Sequence, residues 1–139
     1  MENYTLATIH VGLSHDFSRL ITADLVDAFT KISGDTNPLH VDPSFAKERG
    51  YAERVVYGML TASLYSTLVG VYLPGRNALL QEVETSFRRP VYIGDELTIS
   101  GEVVEVNEGL KRISIKAYIV NQHGQKVSKA TIKAGVFEG

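Results

Sequence analysis

Cysteine is absent from this 139-residue chain, which removes disulfides, thiolate metal sites and a cysteine nucleophile together, while leaving a reducing compartment open to it. Excess charge is absent as well. Fourteen Lys and Arg stand against 16 Asp and Glu, a formal net charge of −2, and no segment gathers the cations that a phosphate backbone requires. Nucleic acid is therefore not an expected partner. No apolar run is long enough to span a bilayer: the longest, "VVYGMLTASLYSTLVGVYLPG", is broken by Gly58, Ser63, Ser66, Gly70 and Pro74. The opening "MENYTLATIHVGLSHDF" is acidic at its second residue, lacks an apolar stretch and does not read as a secretory signal. Also missing are a Gly-rich phosphate loop with its lysine, an H-E-x-x-H motif, an internal repeat and a Pro/Gly/Ser linker. With 44% hydrophobic residues the chain can still bury a substantial core. The expectation is one soluble, cytoplasmic domain over residues 1–139, with no metal and no cofactor.

What is present divides by period. In "TADLVDAFTKIS" Leu25, Val26, Phe29 and Ile32 fall on one helical face, Thr22 is placed as N-cap, and Gly34 follows the last turn. A shorter helix is expected in "DPSFAKERG", capped by Asp42, with Pro43 in its first position and Gly50 at its end. From Gly58 to about Leu73 nearly every position is apolar, which predicts a helix buried on all sides. Beyond Leu80 the period becomes two. Val83, Thr85 and Phe87, then Leu97, Ile99, Gly101 and Val103, then Ile113, Ile115, Ala117 and Ile119 each predict a strand with one buried face, and "KVSKATIKAGVF" predicts a last one. The turns "IGDE", "NEGLK" and "NQHGQ" are expected to join neighbouring strands as antiparallel hairpins. Together these elements predict an α+β fold in which a curved antiparallel β-sheet wraps one long buried helix.

Between the first two helices lies "SGDTNPLH", with Asp35 and His40 five residues apart around Asn37-Pro38 in a chain holding four histidines. Taken singly, Asp35 after a helix-ending glycine and an Asn-Pro pair are ordinary turn chemistry. Together with His40 and the helix that starts at Gly58 they form a candidate site.

The stretches "FTKISGDTNPLHVDPSFA", "VVYGMLTASL" and "SFRRPVYIGDELTISGEVV" resemble, in order, the MaoC-like hydratases, the (R)-specific enoyl-CoA hydratases and dehydratases of hot dog fold. The specific part is the D-x-N-P-x-H loop ahead of a G-M-L helix start. The resemblance implies a sheet wrapped around a central helix, a homodimer joining two such sheets, and thioester sites near the dimer interface. It also implies an acyl-thioester substrate whose carrier is coenzyme A or acyl carrier protein. Hydrating an enoyl thioester needs a base for water, a proton for the α-carbon and donors for the charge on the carbonyl oxygen. Asp35 and His40 are the expected catalytic pair, since imidazole moves protons at neutral pH and a carboxylate fixes its tautomer or shares the water. The sequence does not choose between them as the formal base. The backbone N–H of Gly58 is the expected oxyanion donor, because free amides and the positive end of the dipole meet where that helix begins.

By the same resemblance Asn37 aligns with a loop asparagine beside the pair, and Ser66 with a serine lining the acyl site; Ser66 has an equally good reading as a helix-packing residue. Relatives often carry histidine just before the glycine, where this chain has Tyr57. Arg88 and Arg89 fit either the phosphates of coenzyme A or a solvated edge beside Pro90. His10, His15 and His123 lack metal-ligand spacing and are expected in strands or at the surface. Two competing functions are a hot dog acyl-thioesterase and a non-catalytic thioester-binding subunit. Thioesterases of this fold commonly need a carboxylate on the central helix, and Gly58 to Leu73 contains none.

Overall fold

The computed structural model describes residues 1–138. Strand β1 (Ser14–Leu20) leads into helix α1 (Ala23–Ser33), the short helices α2 (Pro38–Val41) and α3 (Pro43–Glu48), and helix α4 (Gly58–Thr67). A π-helical turn over Leu68–Tyr72 extends α4, and β2 (Ala78–Phe87), β3 (Glu96–Asn107), β4 (Arg112–Val120) and β5 (Lys126–Val136) complete the chain.

Local signals set the helix ends. Thr22 Oγ1 accepts from the N–H of Leu25 at 3.3 Å, and Gly34, at φ 72°, donates back to Thr30 O in the left-handed conformation that glycine tolerates best. Asp42 caps α3 by accepting from Ser44 N at 2.9 Å, with Pro43 in the first turn. The apolar face of α1 is narrower than its sequence implies: Val26 is buried and Leu25 and Phe29 pack partly, but Ile32, on the same face one turn further on, is 82% exposed and packs against no part of the core. Helix α2 was not expected; Asn37 builds it by accepting from Leu39 N at 3.0 Å.

The five strands run β1-β3-β4-β5-β2, each antiparallel to its neighbours. "NEGLK" and "NQHGQ" do make the β3–β4 and β4–β5 hairpins. "IGDE" does not make one, because β2 pairs with β5 at the far edge and β3 starts between β1 and β4. Asp95 instead folds that segment on itself, its carboxylate accepting from Tyr92 N at 3.0 Å. Strand β1, unforeseen, alternates weakly and pairs Phe17 with Ile99.

The inner face of the sheet holds Leu97, Ile99, Val103, Ile113, Ile115, Ile119 and Ile132, all fully buried against Tyr65, Leu68, Val69 and Leu73. Burial of each such side chain contributes roughly 1.5–3 kcal/mol relative to exposure. At Gly101 a Cβ would lie 2.7 Å from the Leu68 side chain, so glycine is what lets β3 approach the π-helical turn.

Two expectations about burial need correction. Helix α4 is not enclosed on all sides: Thr61 and Tyr65 are buried, but Met59 is 64% exposed and Ser63 and Ser66 share its open face. On β2, Val83 and Phe87 also remain exposed, with Leu79 and Leu80. Both surfaces lie on or beside an edge strand that no other strand of the described residues covers. No helix of the described residues is long and apolar enough to cross a membrane.

Candidate active site

The loop after α1 is fixed by a ladder of side-chain-to-backbone bonds, each reaching two residues onward. Ser33 Oγ donates to Phe29 O at 2.8 Å and accepts from Asp35 N at 3.1 Å. Asp35 Oδ1 then accepts from Asn37 N, and Asn37 Oδ1 from Leu39 N, both at 3.0 Å. Short polar side chains at alternate positions thus replace the backbone pairing that an irregular segment lacks. One carboxylate oxygen of Asp35 is held by this ladder. Its Oδ2 takes no hydrogen bond among the described residues, and the residue is exposed.

His40 is half-buried at the end of the ladder. Its Nδ1 lies 2.6 Å from Val55 O, and a carbonyl only accepts, so Nδ1 carries a proton there. In the neutral ring the lone pair therefore sits on Nε2, the orientation a general base needs. Val55 is itself pinned: its N–H donates to Leu39 O at 3.1 Å, it forms an isolated antiparallel bridge with Tyr92, and the next residue donates to Val91 O at 2.8 Å.

Tyr57 joins the two halves of the pair, which sequence reasoning did not foresee. It is 2% exposed, its ring stacks on the His40 imidazole with centroids 4.1 Å apart, and its hydroxyl donates to Asp35 O at 2.5 Å. That hydroxyl also lies 2.7 Å from Thr30 Oγ1, and the ring packs against Phe29. The only advance signal was a bulky polar aromatic directly before Gly58.

Gly58 opens α4. No side chain caps this end among the described residues, and the first amide paired back to Tyr57 O is that of Leu60, which leaves the Gly58 N–H free. The Phe87 ring covers the glycine closely: a Cβ there would come within 3.1 Å of it.

A cleft of about 400 Å³ collects Asp35, His40, Tyr57, Gly58, Met59 and Phe87. A second, of about 360 Å³, also reaches His40, Gly58 and Phe87, and continues to Tyr51, Arg88 and Arg89. Thus the structure brings Asp35, His40 and Gly58 to one place, with carboxylate, imidazole and a free amide around an apolar-walled space. Asn37 lies on the same loop with its carboxamide oxygen engaged as a cap. Ser66 lines neither cleft; it lies further along α4 on the open face with Met59. His10, His15 and His123 lie outside both clefts.

Comparison with known proteins bears on the family and the fold. The family model described as the MaoC like domain matches residues 7–125. Over 117 residues the chain is 38% identical to the (R)-specific enoyl-CoA hydratase of Aeromonas caviae, covering 84% of this chain and 87% of that protein. It is 36% identical over 98 residues to the 3-hydroxybutyryl-CoA dehydratase of Methylorubrum extorquens, which is 70% of this chain and 62% of that one. Its fold matches a solved R-hydratase of Pseudomonas aeruginosa with a TM-score of 0.92 and 29% identity, over 99% of this chain and 88% of the other. A curved antiparallel sheet around α4, the loop ladder ending at His40, and these matches lead to one assignment: the chain has the hot dog fold and belongs to the MaoC-like domain family.

Proposed function

We propose that this protein is a hydro-lyase that reversibly adds water to trans-2-enoyl thioesters, giving (R)-3-hydroxyacyl thioesters, with Asp35, His40 and Gly58 as its catalytic groups. The observation that carries the reading is the convergence of an unpaired Asp35 oxygen, a His40 ring whose Nδ1 is committed to Val55 O, and the free Gly58 N–H on one cleft. A water held between Asp35 and His40 loses a proton as its oxygen bonds to the β-carbon. The electron pair of the double bond moves toward the thioester carbonyl, whose oxygen takes the Gly58 N–H, and the proton returns to the α-carbon. Every group is fixed before the reaction by main-chain or turn bonds, which is what makes such donors effective. Asn37 keeps the loop in shape beside the substrate, and Ser66, outside both clefts, would meet only an acyl chain that runs on along the open face of α4.

The reading includes a homodimer and a single acting domain over residues 1–139. The edge strand β2 and the open face of α4 expose Met59, Leu80, Val83 and Phe87, and a second copy of the same surface would cover them. It also includes a cytoplasmic location, which a cysteine-free sequence permits, and no cofactor beyond the carrier of the acyl group. Thioester hydrolysis has less support, since Gly58 to Tyr72 offers no carboxylate to act from the central helix.

The test is loss of the conjugated enoyl-thioester absorbance when the purified protein meets crotonyl-CoA. Rapid loss supports hydration. No loss with crotonyl-CoA, with longer enoyl-CoAs or with enoyl thioesters of acyl carrier protein would favour the non-catalytic thioester-binding reading.

A further inference from the structure

The cleft that continues past His40 and Gly58 to Arg88 and Arg89 has no part in the proton chemistry. A thioester whose carbonyl oxygen meets the Gly58 N–H has two substituents that leave the reacting carbon in different directions, the acyl chain and the sulfur-bearing arm. Two clefts meet at that point, and they differ in charge. The one holding Asp35 contains a carboxylate and no guanidinium. The other contains both arginines and no carboxylate, in a chain whose formal net charge is −2. Neither Arg88 nor Arg89 forms an ion pair among the described residues.

Arg88 is also placed rather than loose. The backbone N–H of Arg88 donates to Val127 O at 2.8 Å, and its Nε donates to Ser86 Oγ at 3.1 Å, which fixes the guanidinium while leaving its two terminal nitrogens unengaged. Arg89 follows directly, its backbone restricted toward extended conformations by Pro90 and its guanidinium without a hydrogen bond among the described residues. Two planar, always charged donors in a cleft without a carboxylate suit a phosphate ester better than any other common anion on a small carrier.

Resting on the thioester reading above, we infer that Arg88 and Arg89 hold the phosphate at the far end of the pantetheine arm, the arm lying in the cleft lined by Tyr51, Val55 and Pro90. That phosphate is chemically shared by coenzyme A, where it begins the diphosphate, and by acyl carrier protein, where it links the arm to a serine. Phe87, whose ring packs over Gly58 and lines both clefts, marks the point where arm and acyl chain part.

Calorimetric titration of the purified protein with pantetheine, 4′-phosphopantetheine and coenzyme A decides this. Adding the phosphate to pantetheine should lower Kd by about tenfold or more, the worth of one charge-assisted hydrogen bond. The double variant Arg88→Gln, Arg89→Gln should erase that gain, with Arg89→Gln alone, which breaks no observed bond, erasing part of it. Equal affinity for the two smaller ligands in the wild type, or a phosphate gain that survives in a folded double variant, overturns the inference. Coenzyme A binding no tighter than 4′-phosphopantetheine means that the pair reads only the shared phosphate. A further gain that disappears in the double variant means that it also reaches the nucleotide's phosphates. Turnover of crotonyl-CoA on the same sample tests the hydratase reading separately, since its absence would remove that reading while the titration still decides the clamp.

Discussion

An imidazole offers one lone pair at a time, and His40 commits Nδ1 to a main-chain carbonyl, so its basic atom is Nε2. Asp35 divides its work in a similar way, one oxygen in the turn and the other free. Replacing either group should therefore remove chemistry and leave the loop standing: Asp35→Asn and His40→Ala should each lower kcat by roughly 10²–10⁴-fold with an unchanged circular dichroism spectrum. Wild-type turnover in either folded variant would remove that residue from the mechanism. Tyr57 acts at one remove. Tyr57→Phe keeps the ring stacked on His40 and loses the tie to Asp35 O, so kcat should fall about tenfold with KM little changed, the mark of a mispositioned pair. An equal loss in KM alone would make Tyr57 a binding residue instead.

At the scale of elements, α4 presents a free amide at one end and a buried phenol further along. Gly58→Val would put a branched side chain against the Phe87 ring and in the path of the carbonyl, so activity should be lost more completely than stability, read as kcat/KM beside the thermal midpoint. Normal kinetics in that variant would sink the oxyanion role. Burial of Tyr65 raises its phenol above the ordinary tyrosine value, a shift that bonds to Ser128 and Thr85 oppose. The folded state thus holds this proton more tightly than the unfolded chain does. Its contribution is complete below about pH 10, the unfolded value, and is lost as pH climbs through the folded one. Tyr65→Phe should cost about 1 kcal/mol in urea unfolding near neutrality, and the gap from wild type should narrow in alkaline buffer. A gap that stays constant would mean that the phenol does not titrate with unfolding.

Which elements could be read in advance follows from the range of the forces that make them. The caps at Thr22, Gly34 and Asp42, and the polar ladder that presents Asp35, act over two to four residues and are written in consecutive letters. Tyr57 reaches Asp35 O across 22 residues, and β2 joins β5 rather than the nearer β3; both depend on where the sheet brings distant segments. The face of α4 and the burial of β2 were misjudged for a different reason. Apolar side chains such as Met59, Val83 and Phe87 read as buried by their period alone, and the period does not record whether this chain supplies anything to cover them.

For the whole molecule that surface is where the proposed dimer would form. The exposed β2 edge and its apolar side chains should bring two copies together, giving a sedimentation mass about twice the 15.3 kDa of one chain. Val83→Lys would place a charge in the middle of that edge, as natural edge strands do to prevent pairing, and should yield monomers with reduced activity. A wild-type chain that is monomeric and fully active would overturn the dimer.

Val55 has one more implication. Everything it does for His40 it does through its peptide groups: the carbonyl receives the imidazole and the amide binds Leu39 O, while its side chain forms part of a cleft wall. The position is therefore sensitive to spacing and indifferent to identity. A single-residue deletion between 50 and 57 would take the carbonyl away from the His40 ring. Exchanging valine for another apolar residue would reshape the cavity and leave the bond from His40 to the main chain in place. Position 55 is where selectivity can drift, in a laboratory library or in nature, without resetting the chemistry.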